Sequence, residues 1–238
     1  MTEKLRHPLD YFTPEAAKRH PPATEEMLSR AEQRLEVALP PSLRQFLMIS
    51  NGCALPNDFT IFGIRMPGEP TWNDLVESSL QDREHWSPKN LITLTSNGTG
   101  DAWILLPDQA GGSREYPAAE IDHETGEIMV YGASSFERFL WFQLDRMQRF
   151  FEPDGAKKPA YGAYIGEAPD DYEGDVDEWD PEEPYLPWPF DDLEWILQHD
   201  PALARWRPPD CAKWTSSHVW PRQIRIAAMR SKRRHFGS

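Results

Sequence analysis

The chain has 238 residues, 39 % of them hydrophobic, which is enough for one sizeable core with or without an appendage. Its formal charge of −14 argues against nonspecific binding to nucleic acid or anionic lipid, since both require a protein that neutralises phosphates, and makes a basic partner the natural one. No apolar run approaches the roughly 18 residues of a membrane helix, and the opening "MTEKLRHPLDYF" lacks the apolar stretch of a secretory signal, so a cytoplasmic protein with no membrane contact is expected.

Thr24, followed by Glu25 and Glu26, reads as a helix start: the hydroxyl can accept from an orphan amide of the first turn, and the acids suit the positive helix end. Met27, Leu28, Ala31, Leu35 and Ala38 then recur at amphipathic spacing. Leu39-Pro40-Pro41 is expected to end this helix and begin the next. Pro40 cannot continue the amide ladder, whereas Pro41 costs nothing in a first turn. Leu43, Phe46 and Leu47 give the second helix its apolar side, and Asn51-Gly52 reads as its left-handed stop. The string "LPPSLRQFLMISNG", residues 39–52, is therefore framework, an αα-corner.

"FTIFGI" (59–64) reads as a strand with Phe59, Ile61 and Gly63 on one face. A helix is expected from about Thr71 to Arg83, with Trp72, Leu75, Val76 and Ser79 inward. "LITLT" and "DAWILL" flank "SNGTG", whose Asn97-Gly98 is a strong hairpin signal, and "EYPAAEID" and "EIMVYG" flank "HETG", where Gly126 supplies the turn. Links this short require antiparallel pairing. Ser134-Ser135-Phe136-Glu137 predicts a capping box between Ser134 and Glu137. It opens a helix whose buried stripe is Phe136, Phe139, Leu140, Leu144, Met147, Phe150 and Phe151. The order α-α-β-α-β-β-β-β-α is an α+β domain, with helices packed on a mainly antiparallel sheet, assigned to residues 1–151.

Residues 152–238 are expected to form an extension that wraps or prolongs this domain. Residues 152–221 hold 11 of the 23 prolines and 6 of the 10 tryptophans. Charge is partitioned as unevenly: 1–158 carry a net −8, 159–204 a net −14 without one Lys or Arg, and 205–238 a net +8. A polar, proline-rich acidic stretch alone would be disordered, but six tryptophans bring apolar area seldom left in water. Two short helices are expected, one over about Asp191 to His199 and one capped by Asp200 with Pro201 in its first turn.

The ordered set of an acidic amphipathic helix, "LPPSLRQFLMISNG", "FTIFGI", "NGTGDAWILL" with Gly100-Asp101, "EIDHETGE" and the closing "ASSFERFLWFQL" resembles the SMI1/KNR4 family of the SUKH superfamily over residues 24–144. The resemblance implies a SUKH-like α+β binding module, in bacteria often an immunity protein that neutralises a polymorphic toxin and in fungi a scaffold regulating cell-wall synthesis. The acidic extension is outside the family pattern. Its Asp170, Asp171, Tyr172, Glu173, Asp175, Asp177, Glu178, Trp179 and Asp180 combine aromatic anchors with a charged surround, as interface hot spots do, and are the candidate partner-binding residues. The expected partner is a cognate toxin, such as a basic nuclease-type toxin, occluded sterically and by carboxylates that imitate a nucleic-acid backbone. The alternative is a non-catalytic adaptor for a cellular protein.

An enzyme would need another site. Asp101, Asp122, His123 and Glu124 fall at hairpin ends and are the candidates for an acid/base or metal cluster, but Asp and His in turns commonly cap backbone amides, and no second ligand recurs at metal spacing. "NGTG" lacks the Lys and following helix of a phosphate loop. Cys53 and Cys211, far apart and without a CxxC pattern, are expected to be free thiols. No catalysis, metal or cofactor is expected.

Overall fold

The computed structural model describes residues 8–56, 59–65, 73–86, 88–96, 100–159 and 193–206. The αα-corner is present as α1 (Glu25–Leu35) and α2 (Pro41–Ile49). Thr24 caps α1 by accepting from the Met27 amide, and Leu28, Ala31 and Leu35 are buried. Its end differs from expectation. Glu36 turns left-handed at φ 54° and stops the helix before Leu39-Pro40-Pro41, leaving Ala38 exposed. The Glu32 carboxylate then links the two helices, accepting from the Leu39 amide at 3.0 Å and facing Arg44, which also meets Glu25.

Asn51-Gly52 is not the stop it was read as, because α2 ends at Ile49 with Ser50 extended. Asn51 instead uses its side chain as a substitute strand. Its Nδ2 donates to Ile64 O at 2.6 Å and its Oδ1 accepts from Ile64 N at 2.7 Å, both buried. Gly63 lies so close that a Cβ there would sit 2.1 Å from Asn51 O, which is why no side chain fits. Gly52, at φ 84°, leads into β2 (Cys53–Ala54). This strand pairs with β1 (Lys18–Arg19) and with β3 (Thr60–Ile61), giving a three-stranded sheet ordered β1-β2-β3. The strand expected over 59–64 is thus only two residues long, and Gly63 beyond it makes a parallel bridge to Asp74. Asp74 starts α3 (Leu75–His85), later than the expected Thr71. Its carboxylate accepts from the Val76 and Glu77 amides and, through its other oxygen, from Arg65 N, each at 2.8 Å. Arg83 near the end of α3 fastens three segments, donating to Leu35 O at 2.7 Å, Leu91 O at 2.8 Å and Asn90 O at 3.0 Å.

The four-stranded sheet is a plain meander, β4 (Ile92–Ser96), β5 (Ala102–Leu105), β6 (Ala118–Ile121) and β7 (Ile128–Ala133), every pair antiparallel as expected. Residue alternation gives it two apolar faces. One, with Ile92, Leu94, Trp103, Leu105 and Ala118, shares a core with the helices; the other joins Ala102, Ile104, Ala119 and Ile121 to Trp86, Leu91 and Leu106. The Phe62 amide donates to Leu94 O at 2.8 Å and ties the smaller sheet to β4.

Helix α4 (Phe136–Phe150) covers the shared-core face, with its predicted stripe wholly buried. Phe139 packs on Trp103 at 5.1 Å between ring centroids, and Phe136 meets Phe46 of α2 at 5.2 Å. Each such side chain contributes about 1.5–3 kcal/mol when fully removed from water. The cap is one residue later than predicted: Ser135 accepts from the Arg138 amide, and Ser134 is engaged elsewhere. Residues before α1 also join the core, which the sequence did not reveal. Leu9, Phe12 and Ala17 are buried, and the Thr13 amide reaches Pro153 O at 2.8 Å.

Candidate partner-binding surface

The nine acidic and aromatic residues from Asp170 to Asp180 lie outside the described residues, as does Cys211. What the structure does place is each end of the segment that carries them. On the leaving side the chain turns back after α4. Phe151 bridges Lys157, the Lys158 amide donates to Phe150 O at 2.8 Å, and Lys158 Nζ donates to Gln148 O at 2.8 Å and to Tyr11 Oη at 3.2 Å. On the returning side, α5 (Leu193–His199) lies on α4. Asp191 and Asp192, expected in this helix, are outside the described residues. Trp195 stacks on Trp141 at 5.8 Å and 12°, His199 stacks on Trp141 at 5.4 Å, and the Arg149 guanidinium sits 5.2 Å from the Trp195 ring. Trp141, Trp195 and His199 are half-buried and Arg149 is exposed. A guanidinium over an indole is electrostatically favourable, and stacked Trp with Arg is the composition of binding hot spots.

A 3-10 turn follows over Pro201–Arg205, with Asp200 at its start as predicted, but Asp200 does not cap it. The carboxylate is already engaged by Ser134, accepting from its amide and from its hydroxyl at 2.6 Å each. Ile196 and Leu203 are fully buried. Sequence reading missed this docking, because Asp200-Pro201 is a sound local cap signal and nothing in it names Ser134, 66 residues away.

Asp101, Asp122 and His123 do converge: one donor atom from each lies within 4.8 Å of the others, a set that divalent cations accept. Their hydrogen bonds are those of turns. Asp122 Oδ1 accepts from the Glu124 and Thr125 amides at 2.8 and 2.9 Å, and Asp101 Oδ1 meets the His123 amide at 3.1 Å and its Nδ1 at 2.8 Å. The Asp101 hydrogen bond raises the exposed imidazole above the usual histidine range. Gly100, at φ 117°, lies under the ring, and a Cβ there would be 2.6 Å from it. Glu124 donates its amide to Asp122, and its charge adds to the upward shift of His123. Cys53 is a free thiol as expected; burial pushes it up to about 12, which leaves it unreactive.

Two antiparallel sheets, an αα-corner and a covering helix make an α+β architecture, on which residues 151–158 and 193–206 are both seated. The sequence profile of the SMI1 / KNR4 family (SUKH-1) matches residues 22–140, half of the chain, and the protein belongs to that family. No curated protein matched the chain. The match stops within α4, yet Phe142, Leu144, Met147, Phe150, Ile196 and Leu203 beyond it, and Leu9, Phe12 and Ala17 before it, belong to the same buried cluster. Among the described residues no helix is long and apolar enough to cross a membrane.

Proposed function

We infer that this protein is a cytoplasmic immunity-type protein: it binds a cognate toxin and neutralises it by covering the toxin's working surface, with no catalysis of its own. Family membership is the observation that carries this reading. The net −14 over residues 159–204, with no cation among them, favours a basic partner such as a nuclease-type toxin. Asp170, Asp171, Glu173, Asp175, Asp177, Glu178 and Asp180 would stand in for phosphates, with Tyr172 and Trp179 as apolar anchors.

The test is co-expression with the toxin encoded beside it, followed by association kinetics on the purified pair. Restored growth supports neutralisation. Association that slows several-fold between 50 and 500 mM salt, with little change in dissociation, supports carboxylate mimicry, because screening acts on encounter more than on the closed complex. A flat salt response rejects mimicry while keeping the partner. Growth left unrestored, or the absence of an adjacent toxin gene, rejects the immunity role and leaves the adaptor reading in its place.

A further inference from the structure

We propose that residues 193–206 are a latch, held by Asp200, that folds as part of the same cooperative unit as the family domain and moors the returning end of the acidic segment. Asp200 is 2 % exposed, and a carboxylate so deeply buried must be satisfied by hydrogen bonds or remain a liability. Both of its oxygens are engaged, at 2.6 Å, by the Ser134 amide and hydroxyl. That position lies just ahead of the Ser135 cap, at the positive end of α4, where an anion is stabilised. Around this bond the contacts spread over separate parts of the domain. Ile196 and Leu203 are buried in the shared core on either side of Asp200. Trp206 Nε1 donates to Gln109 O and Arg205 Nη1 to Gly111 O, each at 3.1 Å. Gly111 admits the guanidinium because it has no side chain; a Cβ there would lie 1.6 Å from Arg205 Nη2.

The latch stands or falls independently of the immunity reading.

Hydrogen exchange by mass spectrometry on the full-length protein tests it. In the wild type, peptides from 193–206 should be protected to within tenfold of peptides from α4, in 0.1 M and in 1 M NaCl alike. D200A should speed exchange in the latch at least tenfold while β4 and β5 keep their protection. S134A, which removes the hydroxyl and keeps the amide donor, should give a smaller acceleration of the same peptides, and it decides the matter if D200A does not fold. Three results overturn the proposal: a wild-type latch that exchanges like an unstructured peptide, protection that vanishes in 1 M salt, or variants that leave latch exchange unchanged.

Discussion

Replacing Asn51 by Asp tests whether the Asn-Gly pair acts as a clamp. The substitution keeps the shape and the acceptor for Ile64 N, but at neutral pH it sets a carboxylate oxygen against Ile64 O where an amide NH2 now donates at 2.6 Å. Asn51 is 8 % exposed, so water offers little relief. Losing one buried hydrogen bond, leaving a carbonyl unsatisfied and burying a charge together cost about 3–5 kcal/mol. For a domain of this size that is about 10 °C in Tm. The deficit must depend on pH, with a definite sign. The introduced carboxyl has a folded pKa raised above its unfolded value, because only its protonated form can donate to Ile64 O. Its favourable contribution is therefore present below the unfolded pKa and lost as pH rises through the folded one. Urea unfolding of N51D and wild type at pH 4.5 and 7 should show the gap narrowing on acidification. A gap under about 1 kcal/mol at pH 7, or one of equal size at both pH values, would refute the clamp.

Three further predictions follow from single residues. R83M leaves the carbonyls of Leu35, Leu91 and Asn90 without their donor and should cost about 3–5 kcal/mol, with R83K recovering part of it; denaturant midpoints measure both. Burial holds the Asp82 carboxyl above its ordinary range despite the hydrogen bond from Thr93 Oγ1, so its favourable contribution is present in acid and lost as pH rises. D82N, which keeps an acceptor for Thr93, should gain in Tm relative to wild type between pH 3.5 and 7, and a constant difference would contradict this. Gln143 is fully buried in the middle of the α4 stripe, and neither amide atom has a hydrogen-bond partner among the described residues, so Q143M should stabilise by about 1–2 kcal/mol in thermal unfolding, and a loss would show that the amide is satisfied in solution.

The legible parts of the fold are those where a local signal and a tertiary contact agree. The β4–β7 meander follows from two hairpins with alternating apolar residues, and α4 from seven apolar positions at helical spacing, because burial of a face enforces each period. Misread positions are those where a distant group won. Asn51 looks like a helix stop until Ile64 is beside it, Ser134 yields the α4 cap to Ser135 because Asp200 takes its donors, and Glu36 ends α1 in a conformation composition does not favour. The N-terminal Leu9, Phe12 and Ala17 have no period at all; their burial depends on where α4 ends. For the candidate surface, charge and aromatic content mark out the acidic segment, but the mooring points on α4 required the fold.

Occlusion without catalysis is tested by titrating the purified neighbouring toxin's activity with this protein. A stoichiometric blocker gives a linear fall to background at a fixed molar ratio, with the toxin recovered chemically intact. Full toxin activity at a large excess of the protein, or a toxin found covalently altered, would contradict it.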